Sequence, residues 1–258
     1  MTENNWRLIN TNCNNAYLNM AIDEALLISE KPVLRFYKWK PAAISLGYSQ
    51  SINEININQC EKLGIDYVRR LTGGKAVLHD KELTYSFIIN EYIMPKKIVD
   101  SYMVISNGIL FALKLLGIDA SMKDSINKPA SSSICFNEPS YYEITVGNRK
   151  LVGSAQTRKN FKILQHGSIL LGIDIEKMCS LFNNCTNKII NYSKKRITSI
   201  NELNKKIKYN DLIRALKQGF EENFQIKLKN DSLTNKELML AKKLAKQKYS
   251  TKEWNFRF

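Results

Sequence analysis

The chain has 258 residues, 44% of them hydrophobic, which is enough to bury the core of one large domain without help from a metal ion or a disulfide framework. No apolar run approaches the roughly 20 residues of a membrane span, and residues 1–7 lack the basic start and apolar stretch of a signal peptide, so we expect a cytoplasmic protein without a membrane partner. Five cysteines without CxxC spacing and only two histidines argue against a disulfide framework and a zinc site, whereas the net charge of +15 permits a polyanionic partner.

The first quarter of the chain predicts two helices with two strands between them. The segment AYLNMAIDEALL has apolar residues at helical spacing behind Asn14 or Asn15, a plausible helix cap. The runs VLRFYKW and AAISLGY, separated by a break at Lys40-Pro41, are typical of two strands of one sheet. The stretch INQCEKLGI predicts a helix that ends near Gly64.

The following elements are mostly strands. Residues 67–90 alternate strand-like pieces around a Gly73-Gly74 turn, and IVDSYMVISNGILFALKLLG predicts a long helix ending at Gly117. After a polar loop, YYEITV and RKLVGSAQ flank Gly147-Asn148, whose residues readily take the positive φ of a hairpin turn. Another strand is expected near ILQHGSILLG, and two helices follow from Tyr209.

No linker or repeat divides the chain, so we predict one domain over 1–258 with a mainly helical, basic part at about 200–258. From Lys194 onward there are 17 Lys and Arg residues against 7 Asp and Glu, a net charge of +10. Such a surface could steer an acidic partner. It could equally be a solvated lysine face without any partner, because lysine is abundant throughout the chain.

The segment RRLTGGKAVLHDKELTYSF places two arginines, a glycine turn and a histidine between strand-like pieces. Glycines let the backbone approach a ligand closely and expose amide donors to it. A Gly-Gly turn is also common in plain hairpins, and a lone histidine is often structural. The candidate binding residues here are Arg69, Arg70, Thr72, Gly73, Gly74 and His79.

Cys135 is the candidate nucleophile. It lies in SSSICFNEPSYYEI, at the end of a loop of small residues and before a strand, where it could meet a large substrate. Lys150, across the predicted hairpin, could bring an ammonium close to it, which favours the thiolate and can stabilise the oxyanion of a tetrahedral intermediate. The ordinary alternatives are a buried cysteine and a solvated turn lysine.

The residues after Lys150 favour a functional interpretation of this hairpin. Small side chains in a strand pack poorly but suit a ligand that lies flat against the backbone. Polar groups on neighbouring strand ends, such as Gln165, could complete such a site or simply pair within the sheet. The candidates are Gly153, Ser154, Ala155, Gln156 and His166.

Read together, WRLINTN, NMAIDEALL, RRLTGGKAVLHDKELTYSF, CFNEPSYYEI, RKLVGSAQTR, LQHGSILL and KYSTKEWNFRF resemble the biotin/lipoate protein ligase catalytic-domain family, and within it the cysteine-type octanoyltransferases. The resemblance runs from Trp6 to Phe258 with the motifs in the family's order. It implies an α+β fold, a mixed, largely antiparallel sheet flanked by helices. Lys75, which stands where ligase relatives often have a third glycine, favours a transferase over a ligase.

The resemblance further implies an octanoyltransferase. Octanoyl would pass from the phosphopantetheine of acyl carrier protein to Cys135 as a thioester, and then to a lysine of a lipoyl domain, such as glycine cleavage H protein. Lys150 would contact the acyl carbonyl, and the residues of the two glycine-containing strands would line the pocket. Neither ATP nor a metal is required for exchange between thioesters, so we expect no cofactor, ping-pong kinetics and a monomer. The basic surface would steer the acidic carrier domains.

Three alternatives stay open on the sequence. An ATP-dependent lipoate–protein ligase shares the fold and the Arg-Arg-x-Thr-Gly-Gly strand but does not need Cys135. An amidotransferase that moves octanoyl between lipoyl domains would also use the cysteine. A nucleic-acid-binding relative is compatible with the charge, but the chain has no aromatic-basic motif for stacking bases and its basic residues are dispersed, so we expect no nucleic-acid partner.

Overall fold

The computed structural model describes residues 5–123 and 143–258. The strands in these ranges are β1 (Asn5–Asn14), β2 (Val33–Trp39), β3 (Ala43–Leu46), β4 (Asp66–Arg69), β5 (Val77–His79), β6 (Glu82–Asn90), β7 (Ser121–Lys123), β8 (Glu143–Val146), β9 (Arg149–Lys159), β10 (Lys162–Leu170) and β11 (Lys227–Asp231). The α-helices are α1 (Ala16–Ala25), α2 (Ile57–Lys62), α3 (Ile98–Leu115), α4 (Ile175–Ser180), α5 (Asn187–Arg196), α6 (Ile200–Leu203), α7 (Tyr209–Phe224), α8 (Asn235–Leu244) and α9 (Lys252–Asn255).

The strands form two sheets. The larger sheet has eight strands in the order β11-β1-β2-β6-β10-β9-β8-β7, and the smaller has the order β4-β3-β5. In the larger sheet β1 runs parallel to β2 and β11, and the other neighbours are antiparallel. This confirms the predicted α+β class with a mixed, largely antiparallel sheet flanked by helices.

The expectation that VLRFYKW and AAISLGY lie in one sheet is wrong. The first run is β2, which is paired on both sides, by β1 and by β6, so it has no edge left for the next strand. The second run contains β3, which instead pairs with β4 and β5. The chain therefore changes sheets at the predicted Lys40-Pro41 break.

Both faces of the larger sheet are covered, and the alternation along β2 shows how. Leu34 and Phe36 point into the layer formed with α3 and α7, whereas Val33 and Tyr37 point into the layer formed with α1 and α8. All four side chains are fully buried. Burial of such a side chain contributes about 1.5–3 kcal/mol, so the two layers supply much of the drive for folding.

The helices largely follow the sequence pattern. Asn15 caps α1, because its side chain accepts a hydrogen bond from the Leu18 amide at 2.9 Å. Helix α3 has the length and hydropathy of a membrane span, but its buried face packs on the sheet and on α7 as a core helix. The two helices approach closely at Gly219, where a Cβ atom would lie 2.4 Å from the carbonyl oxygen of Gly108.

The C-terminal part contains the two predicted helices, α7 and α8, but also the edge strand β11, which the sequence did not reveal. Arg7 on β1 fastens this region to the sheet. Its buried guanidinium donates to Glu237 at 2.5 Å and to Asp231 at 2.5 Å. Breaking a buried pair of this kind costs about 3–5 kcal/mol, so the basic C-terminal part is firmly joined to the rest of the fold.

Four of the five cysteines are described. Cys179 and Cys185 form a disulfide between the end of α4 and the loop after it, a bond that the spacing argument did not anticipate. Cys60 is buried among apolar side chains, and burial raises the pKa of its thiol to about 11. Cys13 is exposed. Cys135 lies outside the described residues.

Candidate active site

A cavity of about 880 Å³ opens between the Gly73-Gly74 turn, the start of α3 and the middle of β9 and β10. One part of its wall is apolar or aromatic: Met20, Tyr37, Trp39, Val77, Ile98 and Tyr102. Another part is polar: Ser45, Ser49, Gln50, Ser51, Glu54, Lys75, Thr84 and Ser168. Cavities of this size that combine an apolar wall with a few polar groups are typical of small-molecule sites.

Most of the binding residues proposed from the sequence meet at this cavity, although they come from two segments about 80 positions apart. The structure places nine of them in its wall: Arg70, Gly73, Gly74, His79, Gly153, Ser154, Ala155, Gln156 and His166. Their side chains or backbones therefore share one space, as a common binding role requires. Whether each contacts a substrate stays a prediction.

Arg69 does not line the cavity, in contrast to the expected position. Its side chain is fully buried, and its guanidinium donates to the carbonyl oxygens of Gly47, Gln50 and Asn255 at 2.6–2.8 Å. Burial also lowers the pKa of Arg69. An arginine committed to backbone carbonyls acts as a structural clamp between loops. Thr72 is likewise fully buried, behind the cavity wall.

Lys150 lies near the start of β9 and is not part of the cavity wall. Its ammonium is buried and pairs with the carboxylate of Glu143 at 2.5 Å. Cys135, the proposed partner of Lys150, falls outside the described residues. The pairing of this lysine with the nucleophile, and its contact with an acyl carbonyl, therefore remain predictions.

The first of two hydrogen-bonded relays at the cavity runs from Asp23 to Thr72. The Asp23 carboxylate accepts from Arg35 at 2.6 Å and from Nδ1 of His166 at 2.9 Å, and Nε2 of His166 lies 2.7 Å from the Thr72 hydroxyl. Burial alone would raise the pKa of Asp23, but the Arg35 charge and the hydrogen bonds from His166 and Ser86 outweigh it and lower the pKa below its ordinary value.

His166 is the neutral member of this relay. Burial lowers the pKa of its imidazole, and Arg70 adds to the effect, although Asp23 opposes it. A neutral ring beside a carboxylate carries its proton on Nδ1, so Nε2 is left to accept from the Thr72 hydroxyl. Thr72 in turn accepts from Nε of Arg70 at 3.1 Å.

The second relay has the same order of groups. The Glu82 carboxylate lies 2.8 Å from Nδ1 of His79, and Nε2 of His79 lies 2.8 Å from the Ser45 hydroxyl. The indole of Trp39 stacks on the His79 ring with 4.0 Å between centroids and fixes its plane. Both histidines of the chain are therefore held between a carboxylate and a hydroxyl.

The two relays meet at Arg70. Besides the bond to Thr72, this guanidinium donates to the Ser45 hydroxyl at 3.2 Å and carbonyl at 2.7 Å, and to the carbonyls of Gly73 at 2.7 Å and Lys75 at 2.8 Å. These five bonds use all five N–H groups of an arginine. Arg70 thus fixes the glycine turn in place, and its donors are already committed within the protein.

The glycine turn and β9 supply the cavity with backbone. A Cβ atom at Gly47 would lie 1.8 Å from the carbonyl oxygen of Gly74, so this approach requires glycine. Within the part of the chain that the structure describes, β8 pairs with β9 no further than Val152. From Gly153 to Gln156 the strand also lines the cavity, and the hydroxyl of Tyr102 donates to the carbonyl oxygen of Ser154 at 3.4 Å.

Sequence reasoning missed the carboxylates of both relays. Asp23 lies on the buried face of α1 together with Ala16 and Met20, and an acidic residue in an apolar stripe was the available signal. Glu82 and Thr84 alternate with the apolar residues of β6, which gives the pattern of a solvated strand face. In the structure the face of β6 that carries Glu82 and Thr84 is covered instead, and these polar side chains are buried.

Comparison with known proteins identifies similar sequences and similar structures. Residues 15–221 match the lipoyl protein ligase A/B catalytic domain. The chain is 42% identical over 278 residues to the octanoyltransferase LipM of Bacillus subtilis (strain 168), with 100% of both chains covered. A solved lipoate-protein ligase A with bound ATP superposes with a TM-score of 0.84 at 26% identity and 98% coverage of both chains. A bipartite lipoate protein ligase of Thermoplasma acidophilum, described with its E2 lipoyl domain, also gives 0.84, at 25% identity, covering 99% of this chain and 97% of the other.

Proposed function

Because the chain belongs to the lipoyl protein ligase A/B catalytic-domain family and is an octanoyltransferase of lipoate synthesis, we propose that it passes octanoyl through a thioester on Cys135 to a lysine of a lipoyl domain. The family predicted from the sequence motifs is thereby confirmed, as is an acyltransferase activity. The route of the acyl group, the residues that handle it and the two protein partners belong to the proposal.

The proposed reaction has two balanced steps. The Cys135 thiolate attacks the octanoyl thioester on the phosphopantetheine of acyl carrier protein, and the carrier thiolate leaves and takes up a proton. The ε-amine of the acceptor lysine then attacks the acyl-enzyme, loses a proton and expels the Cys135 thiolate. One thioester replaces another in the first step, and a stable amide forms in the second. Neither step needs ATP or a metal.

The observation that carries the proposal is the wall of the cavity. An octanoyl chain requires an apolar space beside a polar reaction point, and the cavity combines the aromatic side chains of Tyr37 and Trp39 with the small residues Gly153 to Ala155. The small side chains of Gly153 to Ala155 would let the acyl group lie flat against the strand. Lys150, near the start of the same strand, is our candidate for the cation that stabilises the oxyanion.

The environment of Arg70 supports acyl transfer without a nucleotide. An arginine that binds a phosphate presents its N–H groups to the ligand, whereas the five donors of Arg70 are already bound to Thr72, Ser45, Gly73 and Lys75. The arginine thus supports the pocket wall. The acceptor proposed here is a lipoyl domain such as glycine cleavage H protein, and the enzyme is proposed to act as a monomer in the cytoplasm.

The test follows the acyl group by mass. Purified protein is mixed with octanoyl-acyl carrier protein in the absence of ATP, as wild type, Cys135→Ala and the matched control Cys13→Ala, which removes an exposed cysteine. We expect one hydroxylamine-sensitive octanoyl adduct on wild type and the control but not on Cys135→Ala, and its transfer to apo glycine cleavage H protein added afterwards.

Two results would contradict the proposal. If the acceptor is modified only when ATP and free octanoate or lipoate are supplied, and Cys135→Ala works as well as wild type, the protein acts as a ligase. If the adduct forms but only an octanoylated lipoyl domain can donate it, the protein is an amidotransferase. Binding of RNA or DNA with a steep salt dependence would indicate a nucleic-acid role.

A further inference from the structure

Three large apolar side chains are exposed on the segments that adjoin the cavity: one in the cavity wall, and two near the end of the β9–β10 hairpin. Tyr92 is 77% exposed, Ile98 61% and Phe161 79%. Ile98 itself belongs to the cavity wall, and the Glu91 amide, next to Tyr92, donates to the carbonyl oxygen of Phe161 at 2.9 Å. We call Tyr92, Ile93, Ile98 and Phe161 the mouth patch. Clustered exposed aromatic residues are characteristic of sites that contact another protein.

The backbone at Phe161 is a second, independent observation. Asn160 and Phe161 form the two-residue turn between β9 and β10, with φ values of 52° and 59°. Turns of this kind favour Asn followed by Gly, and a bulky residue with positive φ is strained. The side chain recovers little of that cost by burial, because it is mostly exposed. An exposed aromatic side chain on a strained turn is a candidate for contact with a partner rather than for a role in the fold.

The charges around the patch favour an acidic partner. Lys96 and Lys97 are exposed between Tyr92 and Ile98, and Arg158 and Lys159 precede the turn. Three acidic residues oppose them, Glu91 and Asp100 in the same segments and Glu24, which pairs with Lys159 at 2.7 Å, so four basic residues against three acidic ones leave a positive balance. An apolar centre with a basic rim fits a domain that presents apolar side chains within an acidic surface.

The distance from the patch to the cavity selects between the two carrier domains. Phe161, at the end of the hairpin, lies five positions after Gln156, the last cavity-wall residue of β9, which is roughly 17 Å along a strand. A lysine side chain on an acceptor docked at this hairpin could not span that distance. A thioester on a long flexible arm could, so the patch suits the donor.

We propose that the mouth patch is the docking surface for the acidic carrier domain that delivers the octanoyl thioester. The domain would rest on Tyr92, Ile93 and Phe161, and its arm would pass over Ile98 into the cavity. This inference rests on the proposed function, because it assumes a carrier-bound thioester as the donor.

The test separates docking from chemistry by the choice of donor. The rate of enzyme acylation is measured against the concentration of octanoyl-acyl carrier protein and, separately, of octanoyl-pantetheine, which has the arm but no carrier domain. The variants are Phe161→Gly and Tyr92→Ser, and Leu63→Ser is the control, an exposed apolar residue that follows α2. None of the three residues lines the cavity.

We expect each patch variant to raise the half-saturating concentration of the carrier-bound donor about tenfold, the loss typical of an aromatic residue at an interface centre. Kinetics with octanoyl-pantetheine should stay within about twofold of wild type, and Leu63→Ser should be unaffected with both donors. Phe161→Gly should also melt at the same or a higher temperature, because glycine accepts the positive φ. Loss of function without loss of stability distinguishes an interface residue from a structural one.

The proposal is overturned if carrier-dependent acylation is unchanged in the patch variants, or if both donors become equally poor. A change that appears only when the lipoyl-domain concentration is varied assigns the patch to the acceptor. A failure of the proposed function is distinguishable, because wild type would then form no adduct with either donor. In that case the affinities of wild type and Phe161→Gly for octanoyl-acyl carrier protein are compared directly. Weaker binding by the variant would still support docking at the mouth patch, and equal binding would contradict it.

Discussion

Replacing Asp23 by Asn should weaken the fold and disturb the cavity at once. The Asp23 carboxylate accepts four hydrogen bonds, from Arg35 at 2.6 Å, Ser86 at 2.8 Å, Tyr37 at 2.9 Å and His166 at 2.9 Å. An amide of the same shape keeps one acceptor oxygen. Its NH₂ group, however, replaces the oxygen that faces the other two donors.

The expected cost follows from the burial of this pair. The side chains of Asp23 and Arg35 are 2% and 0% exposed, so the substitution leaves a buried guanidinium without its counter-charge. Breaking a buried ion pair costs about 3–5 kcal/mol. Because the free energy of unfolding of a domain is about 5–15 kcal/mol, we expect Asp23→Asn to remain folded at low temperature. Its midpoint of urea denaturation should be much lower than that of wild type.

The assay combines urea denaturation with nitrogen-15 NMR of the imidazoles, which is simple because the chain has two histidines. In wild type, His166 should carry its proton on Nδ1, and in Asp23→Asn the proton should move to Nε2. The control Glu176→Gln removes an exposed ion pair with Lys194 and should change stability by less than about 1 kcal/mol. An unchanged midpoint together with an unchanged His166 tautomer in Asp23→Asn would refute the proposed relay.

Three further predictions concern the cavity and the core. Gly167→Ala should slow octanoyl transfer and lower the free energy of unfolding by about 1–3 kcal/mol, because its Cβ atom would lie 2.4 Å from the Ser154 hydroxyl. A variant with the transfer rate and stability of wild type would contradict this. The fold lowers the pKa of both His166 and Asp23, so the unfolded chain binds protons more readily at each group. The free energy of unfolding should therefore fall as the pH drops below 6.5, the ordinary pKa of histidine, and fall again below 3.8, the ordinary pKa of aspartate. Urea midpoints measured across pH 3–8 check the sign. Gly219→Ala should lower the melting temperature without changing the half-saturating donor concentration, because its Cβ atom would push against Gly108 and Ala112, further along α3 than the cavity-wall residues Ile98 and Tyr102; a changed donor requirement would contradict this.

The sequence predicts those elements whose pattern is complete within a short window. The first helix has both its cap, Asn15, and its apolar stripe, and the hairpin at Gly147-Asn148 has its turn residues between two alternating runs. Strands β1 and β11 have no such signal. Their pairing depends on contacts between segments more than 200 residues apart, and β11 is polar because it lies at the edge of the sheet.

Some residues of the candidate site could likewise be predicted from their type alone, and others could not. Residues whose type suggests a backbone role, such as Gly74 and Gly153, were predicted because small side chains are informative in any strand or turn. The position of Arg69 was predicted wrongly: it is the last residue of β4 and binds distant loops, and only Arg70, just after the strand, lines the cavity. Which of the two faces inward depends on the packing of distant loops.

The clamp at Arg69 has a consequence for biosynthesis. Its guanidinium and backbone bind Trp254 and Asn255, which lie 185 and 186 positions downstream. Contacts of such long sequence separation form late, because a large loop must close first. On the ribosome, the strand that carries Arg69 and leads into the glycine turn therefore lacks this support until position 255 has left the exit tunnel. A nascent chain is thus expected to complete the cavity wall after nearly all of its core has been translated.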